Sequence, residues 1–179
     1  VSGQPYTHRV FPITRTKSAV RHMEYVFPGE GLYDCKDQYM LGDSLLVAPV
    51  FNEDGICDFY LPTGGTWTDI QTGEQLSGGN WYTKKYDYFG MPLYAKPNSM
   101  IVFGDFKNKA EYDYADNMKI VIYGLEDGKT AETEVYTKDA ELAASISAVR
   151  SGDTITLTFD GSDEAEAKAH ISEFIGKNL

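Results

Sequence analysis

The spacing of hydrophobic positions changes early in the chain, from continuous runs to alternation. The run Leu45–Phe51 is apolar throughout and predicts a strand buried on both faces. Residues 21–28 predict a shorter apolar strand that ends at a proline. Between these segments, Asp34 or Asp37 is predicted to cap a brief helical turn over residues 38–40.

After residue 51 the apolar segments are short and turn signals recur about every 8–12 residues, which is typical of a β-sandwich. Cys57, Phe59 and Leu61 alternate with polar positions and predict a half-buried strand. Asp54-Gly55 predicts a β-hairpin, because this dipeptide supplies the positive φ of tight turns. Further strands are predicted at 66–70, 81–84, 91–94 and 100–103.

A polar segment from residue 104 to residue 114 is interpreted as a linker to a second β unit. In that unit, Asp127-Gly128 predicts a second β-hairpin, and Ser151-Gly152-Asp153 predicts a third. The return strand of the third hairpin places Ile155, Leu157 and Phe159 on one face. The alanine-rich stretch 138–148 has helical propensity, but its position between two turn signals favours a strand. Residues 163–175 fit a helix or a strand.

Composition and charge exclude several classes of function. The chain is 42% hydrophobic and 24% charged, which indicates a globular protein. Its net charge is −11 and its basic residues are dispersed, so we expect neither nucleic acid nor an anionic membrane as a partner. A transmembrane helix is not expected, because the apolar runs fall short of about 20 residues.

Two cysteines, Cys35 and Cys57, are too few for a disulfide framework. We interpret both as reduced thiols, with one bridge between them left open for an oxidising compartment. Two cysteines and three scattered histidines do not form a metal-binding pattern, so no metal site is predicted.

Four segments in series carry a family resemblance. They are Arg21-His22-Met23-Glu24-Tyr25-Val26-Phe27-Pro28, Asp37-Gln38-Tyr39-Met40-Leu41-Gly42-Asp43-Ser44-Leu45-Leu46-Val47-Ala48-Pro49-Val50-Phe51, Phe59-Tyr60-Leu61-Pro62 and Gly65-Thr66-Trp67-Thr68-Asp69. In this order they resemble the end of the catalytic barrel and the following β-sandwich of glycoside hydrolase family 31, the retaining α-glucosidases and α-xylosidases.

Two further segments extend the resemblance, and one departs from it. Met91–Asn98 resembles the family's "P-L-Y-V-R-P-N" stretch. Tyr112-Asp113-Tyr114, followed by Ile120–Gly128, resembles the start of the distal C-terminal sandwich and points to the α-xylosidase-like branch. The family runs almost directly from a Gly-x-Pro turn into the strand that carries the arginine. Here Tyr6–Ser18 intervene, either as an insertion or as a sequence error.

The resemblance implies a mainly β fold, with β-sandwiches that follow a remnant of the last strand of a (β/α)8 barrel. Residues 1–50 are expected to be the leader and barrel-exit remnant, with 1–20 the least defined. Residues 51–103 are expected to form a proximal C-terminal sandwich. Residues 104–179 are expected to form a distal sandwich, complete or truncated.

The resemblance also implies a function. The parent enzyme would hydrolyse terminal α-linked xylose or glucose with retention, without a metal or an organic cofactor. Its two catalytic Asp residues would lie upstream of Val1, so no catalytic residue is assigned here and the isolated chain is expected to be inactive. The chain would brace the catalytic barrel, meet the oligosaccharide substrate only through the parent and contact a second copy of itself. We expect a cytoplasmic location.

Exposed aromatic residues could stack on sugar rings, and Trp67 and Trp81 are the candidate substrate-binding residues. The alternative is that both pack in a core. Arg21, His22 and Glu24 could shape the sugar site, or Arg21 could pair with a carboxylate of the parent barrel. An alternative function remains open, namely a stand-alone carbohydrate-binding or oligomerisation β-sandwich without hydrolase activity.

Overall fold

The computed structural model describes residues 19–104, 118–137 and 141–161. These residues form antiparallel strands and one helical turn. The elements are β1 Val20–His22, α1 Met23–Val26, β2 Tyr39–Leu41, β3 Leu45–Val47, β4 Ile56–Leu61, β5 Thr66–Asp69, β6 Gln75–Ser77, β7 Asn80–Lys85, β8 Leu93–Ala95, β9 Ser99–Phe103, β10 Lys119–Tyr123, β11 Thr130–Tyr136, β12 Leu142–Ser151 and β13 Thr154–Gly161.

The strands form four sheets. The largest has six strands in the order β1-β2-β3-β8-β5-β6. Two sheets have two strands each, β4-β7 and β9-β10, and one has three strands in the order β11-β12-β13. Because side chains alternate between the faces of a strand, the membership of each hydrophobic cluster shows which sheet faces are in contact.

The first core lies between the six-stranded sheet and the β4-β7 sheet. Met40 and Leu46 point from one face of the large sheet, and Trp67 and Tyr94 share that face. Phe59 contributes from β4, with its ring stacked on Tyr94 at 5.2 Å between centroids. Trp67, Tyr94 and Phe59 are the largest fully buried side chains among the described residues.

The opposite face of the six-stranded sheet packs on β9-β10. Leu45, Val47 and Ala95 have the other parity from Leu46 and Tyr94, and they contact Ile101 of β9. This second core is smaller and almost entirely aliphatic at its centre. It makes the six-stranded sheet an inner layer, covered on both faces.

The third core lies between β9-β10 and the β11-β12-β13 sheet. Met100 of β9 packs there with Ala131, Ile146 and Phe159. Since Met100 and Ile101 point in opposite directions, β9 belongs to two cores at once. The sheets therefore stack in the order β4-β7, large sheet, β9-β10, β11-β12-β13.

The mainly β fold class predicted from sequence is confirmed. The alternation at Cys57, Phe59 and Leu61 is confirmed, since all three are buried between exposed or half-buried neighbours. The strand interpretation of the alanine-rich stretch is confirmed from Leu142 onward by β12. Several predicted segments lie outside the described residues. They are residues 1–18, residues 105–114 of the predicted linker, residues 138–140 of the alanine-rich stretch and the ambiguous segment 163–175.

Three local predictions are wrong. Residues 38–40 do not form a helical turn, because Tyr39–Leu41 pair with both β1 and β3 as strand β2. The segment 21–28 is strand only to His22 and then makes the helical turn α1, closed by the Phe27 amide donating to the Met23 carbonyl. The apolar run from Leu45 is strand only to Val47.

Two of the three predicted hairpins are also wrong, although their turns form. Gly55 and Gly128 each have φ 71° in tight turns. Yet β4 pairs with β7, β10 pairs with β9, and β11 pairs with β12. An Asp-Gly turn reverses the chain, but the partner of each strand depends on which apolar faces meet. The third hairpin is confirmed, with Ser151 paired to Thr154 across Gly152-Asp153.

Strand pairing crosses both predicted domain boundaries. Strand β3 lies in the predicted barrel-exit segment, yet it pairs with β8 of the predicted proximal sandwich. Strand β9 ends the proximal sandwich, yet it pairs with β10 of the predicted distal one. The boundaries at residues 50 and 103 stay predictions, and the sheets are continuous across them.

Candidate functional site

The two candidate tryptophans lie in opposite environments. Trp67 on β5 is fully buried. Its indole N–H donates to the Pro62 carbonyl at 2.8 Å, and its ring meets the edge of Phe27 at 6.1 Å. With its one polar atom satisfied and its ring enclosed, Trp67 has the environment of a core residue.

Trp81 on β7 is 60% exposed. It lies directly opposite Tyr60 of β4 on the outer face of the β4-β7 sheet. The two ring centroids are 5.4 Å apart and the ring planes are inclined by 50°. This arrangement leaves a large aromatic surface open to solvent on a hydrogen-bonded strand pair.

A carboxylate flanks this aromatic pair. Glu30 accepts hydrogen bonds from the Thr63 amide at 3.1 Å and from the Thr63 hydroxyl at 2.7 Å. Burial raises the pKa of the Tyr60 phenol, and the charge of the nearby Glu30 carboxylate and a side-chain hydrogen bond with it raise that pKa further, so the hydroxyl stays protonated and donates to Glu30. We call Glu30, Tyr60, Thr63 and Trp81 the Trp81 platform.

The outward-facing pair next to the platform is polar. The Thr83 hydroxyl donates to the Asp58 carboxylate at 2.5 Å. These two residues form the next outward-facing pair along β4 and β7 after the aromatic pair. The rest of this edge is the exposed pair Ile56 and Lys85. The aromatic surface therefore has hydrogen-bonding groups at its margins.

The inward side of β7 explains why Trp81 points outward. Lys84 turns toward the first core, where it forms an ion pair with Glu74 and donates to the Tyr94 hydroxyl at 3.1 Å. Burial raises the pKa of Tyr94 to about 12, and burial also raises the pKa of Tyr86 beside it. The alternation that places Tyr82, Lys84 and Tyr86 inward forces Trp81 outward.

A second exposed aromatic group lies in the loop between β7 and β8. Tyr88 and Phe89 are both almost completely exposed. Asp87 fixes the loop, since its carboxylate accepts from the Phe89 amide at 2.9 Å and its carbonyl accepts from the Gly90 amide at 3.3 Å. We call this the Tyr88–Phe89 tip.

The charged residues of β1 and α1 form hydrogen bonds within this chain. Arg21 Nη2 donates to the Gly42 carbonyl and to the Asp43 carboxylate, each at 2.5 Å. Arg21 thus pairs with a carboxylate of this chain, whereas the sequence suggested one in the barrel. The Glu24 carboxylate accepts from the Gly29 and Leu32 amides, which fixes the following loop.

His22 and the cysteines are also accounted for locally. The His22 Nδ1 accepts from the Glu24 amide at 3.2 Å. Cys35 and Cys57 are free thiols, and burial together with nearby carboxylates raises the pKa of both, which keeps them protonated.

Within the described ranges, three or more His, Cys, Asp or Glu side chains nowhere gather as a metal site would require. Those same ranges hold no helix long and apolar enough to cross a membrane.

Comparison with protein-family models matches the chain in two consecutive stretches. Residues 16–101 match the glycosyl hydrolase family 31 C-terminal domain. Residues 113–172 match the C-terminal domain of the alpha-xylosidase YicI. The second match confirms the α-xylosidase-like resemblance of the distal region.

Curated relatives agree with these matches. Alpha-xylosidase XylQ of Lactiplantibacillus pentosus is 33% identical over 135 residues, which are 74% of this chain and 18% of that protein. An alpha-xylosidase of Emericella nidulans is 32% identical over 126 residues, which are 65% of this chain and 16% of that protein. The chain therefore spans less than a fifth of the length of these relatives.

Solved structures show the same architecture. The cycloalternan-forming enzyme of Listeria monocytogenes, in complex with a pentasaccharide substrate, matches with a TM-score of 0.66 and 27% identity, over 79% of this chain and 14% of that one. A Flavobacterium johnsoniae GH31 dextranase matches in fold with a TM-score of 0.66 and 22% identity, over 78% of this chain and 18% of that one. The chain belongs to glycoside hydrolase family 31 and carries the C-terminal domains of that family.

Proposed function

We propose that the chain is the non-catalytic C-terminal part of a retaining α-glycosidase that cleaves α-xylosides or α-glucosides. One observation carries the proposal. Both C-terminal family matches occur in consecutive order on a chain that corresponds to 18% of an alpha-xylosidase. The remaining length of such a relative is sufficient for a catalytic barrel.

The environments of the described carboxylates support a non-catalytic role. A retaining glycosidase needs two carboxyl groups about 5–5.5 Å apart, one as nucleophile and one as acid/base. Asp69 is buried and uses one oxygen to accept from the Gln71 and Thr72 amides. Asp43 forms an ion pair with Arg21, and Glu24 accepts a hydrogen bond from the Leu32 amide of the loop that follows α1. These carboxylates stabilise turns and strand ends.

The exposed apolar side chains of residues 19–104 support a bracing role. Phe51 and the Tyr88–Phe89 tip are largely exposed, as are Tyr25 and Tyr33 of the segment after β1. Exposed apolar residues that adjoin one another, as Tyr88 and Phe89 do, normally mark a contact with another domain or protein. We infer that the catalytic barrel covers part of it, and we keep the predicted cytoplasmic location as part of this proposal.

Turnover assays test the proposal directly. Purified 1–179 should not hydrolyse aryl α-xylosides or aryl α-glucosides, whereas the full-length parent should hydrolyse at least one of them. The first-formed sugar, observed by NMR, should have the α configuration, because the family resemblance implies retention. Clear turnover by 1–179 alone, or a β-configured first product from the parent, would overturn the proposal.

Substitution of the tip tests the bracing contact. In the parent, Tyr88→Ser together with Phe89→Ser should lower the thermal midpoint of the barrel activity, because the barrel loses an apolar contact. Val149→Ser is the matched control, since Val149 is also exposed but lies on the outer face of the distal sheet. Equal effects from the tip variant and the control would reject the tip as part of the contact.

Self-association of the chain is the second use for the same surface. The exposed aromatic residues predict that isolated 1–179 binds a hydrophobic dye and assembles as its concentration rises. If Tyr88→Ser/Phe89→Ser abolishes assembly of the isolated chain but leaves the thermal midpoint of the parent unchanged, the tip is a contact between copies of the chain. A fall in that midpoint places it against the barrel.

A further inference from the structure

We propose that the Trp81 platform is a secondary, non-catalytic binding site for a neutral oligosaccharide. This proposal goes beyond the bracing role and does not depend on it, because the platform lies on the outer face of the outermost layer. It assigns a ligand to the one tryptophan that the core does not use.

The aromatic geometry is the first argument. A pyranose ring has a face rich in C–H groups, and an exposed indole is the largest aromatic surface that a protein can place against it. Trp81 is 60% exposed and lies on a paired strand, with Tyr60 fixed opposite it in register. The 50° inclination between the two rings presents two differently oriented surfaces to successive sugar units.

The hydrogen-bonding groups are the second argument. Sugar hydroxyl groups need acceptors beside the stacking surface, and charged acceptors form the stronger bonds. The Glu30 carboxylate lies beside Tyr60, held by the backbone and hydroxyl of Thr63. A carboxylate has about four lone-pair directions, so the contacts with the Thr63 amide, the Thr63 hydroxyl and the Tyr60 hydroxyl leave about one for a ligand.

The platform is also held rigid by the structure beneath it. Gln38 clamps the Tyr60 backbone, with its amide donating to the Tyr60 carbonyl at 2.8 Å and its oxygen accepting from the Tyr60 amide at 2.7 Å. Lys84 fixes the strand of Trp81 from the inner side. Little ordering of the protein is then required on binding, which favours a weak-contact ligand such as a sugar.

Charge selects among possible occupants. The chain carries a net charge of −11 and the platform includes a carboxylate, so an anionic ligand is disfavoured. The centres of protein interfaces are depleted in charged residues. The platform carries the Glu30 carboxylate beside its aromatic pair, with the charged Asp58 and the hydroxyl of Thr83 at its margin. A neutral, hydroxyl-rich ligand fits this mixture best.

Tryptophan quenching tests the site on the chain itself. The chain has two tryptophans, and Trp67 is buried, so acrylamide should quench mainly Trp81. We expect isomaltotriose, maltotriose or a xylose-bearing glucan oligosaccharide, at millimolar concentration, to protect Trp81 from acrylamide. Binding should also appear by calorimetry with the same sugars.

Variants separate binding from folding. Trp81→Ala should weaken binding by about tenfold or more, which corresponds to a loss of about 1.4 kcal/mol or more of binding free energy. Glu30→Gln should weaken it less, because the amide keeps one acceptor but loses the charge. Tyr88→Ala is the matched control, since it removes an exposed aromatic residue outside the platform. Unchanged emission from Trp67 reports that each variant is folded.

Three results would overturn the proposal. The first is an absence of protection by any of these oligosaccharides. The second is equal binding by Trp81→Ala and the wild type. The third is protection by tetramethylammonium but not by sugars, which would make the platform a cation site. None of these results bears on the turnover of aryl glycosides by the parent, so failure here is distinguishable from failure of the proposed function.

Discussion

The proximal region (residues 19–104) and the distal region (residues 118–161) expose different kinds of surface. Of the described large hydrophobic residues that are exposed, nine lie in the proximal region and only Leu142 and Val149 lie in the distal one. The outer face of the distal sheet instead presents Thr154, Thr156 and Thr158. The proximal region therefore has the surface that a neighbouring domain or a ligand would cover.

Their cores differ as well. The proximal core encloses Trp67, Tyr94 and Phe59 and depends on particular hydrogen bonds to place them. The distal core contains a single aromatic residue, Phe159, among its buried members, and is otherwise aliphatic, for example at Ala131 and Ile146 on regular strand ladders. A core of large rings should tolerate truncation poorly, and this difference sets the order of the following predictions.

The largest effect is expected for Trp67→Ala. Truncating a fully buried tryptophan should lower the free energy of unfolding by about 3–5 kcal/mol, because a cavity opens between two sheets. Urea unfolding followed by circular dichroism measures it. Trp81→Ala is the matched control and should cost about 1 kcal/mol or less, mainly for the Tyr60 contact. Similar costs for both variants would contradict the assignment of the two environments.

A slightly smaller effect is expected for Ile146→Ala in the distal core, at about 2–4 kcal/mol. Because β9 belongs to both neighbouring cores, the loss should also shift the unfolding transition reported by Trp67 fluorescence. Thr158→Val is the control, on the outer face of β13, and should leave that transition nearly unchanged. If the unfolding midpoint reported by Trp67 fluorescence is the same in Ile146→Ala as in the wild type, the two regions unfold independently.

Gln38→Ala should lower the free energy of unfolding by about 1–3 kcal/mol, since the backbone N–H and C=O of Tyr60 both lose their partner. Urea unfolding of the variant measures this cost. Gln75→Ala is the control, because Gln75 is an exposed glutamine on the edge strand β6. A cost no greater than that of the control would mean that water replaces the Gln38 contacts.

The smallest effect at neutral pH is expected for Tyr94→Phe, but it should change the alkaline limit of stability. Burial raises the pKa of Tyr94 from 10.0 to about 12. The folded state therefore holds this proton more tightly than the unfolded state. Its contribution to stability is complete below pH 10 and is lost as the pH rises through 12.

Urea midpoints measured across this alkaline range check the Tyr94 prediction. Tyr94→Phe should flatten the decline in stability with pH, while near neutral pH it loses the hydrogen bond with Lys84 and the interaction of the Tyr94 hydroxyl with Tyr86. Tyr33→Phe changes an exposed tyrosine and provides the matched comparison. An unaltered alkaline decline in Tyr94→Phe would exclude Tyr94 as its source.

The sequence correctly predicted strands in which buried and exposed residues simply alternate. Phe59 and Leu61 of β4, and Leu157 and Phe159 of β13, alternate with polar residues and face a core as expected. The pattern failed where pairing over long distances decides the structure. Met40 was assigned to a helical turn, but Tyr39–Leu41 lie between two strands whose hydrogen bonds and burial outweigh local propensity.

The candidate site was only half predictable for a related reason. Trp67 and Trp81 both lie in strand-like sequence, and either parity of β7 would bury some aromatic residues. In the structure Tyr82 and Lys84 are half-buried on the inner face, where Glu74 and Tyr94 provide partners for the lysine. Glu30 was not singled out, since its neighbour Thr63 is 33 residues away in sequence.

The position of β9 has a consequence for synthesis of the chain on the ribosome. Once β9 has emerged, its Ile101 face can close on the six-stranded sheet, but its Met100 face awaits β11–β13. The nascent chain must therefore carry an open apolar strand face until Phe159 has been added. During that interval the Met100 face of β9 is the exposed apolar surface that a chaperone would need to cover.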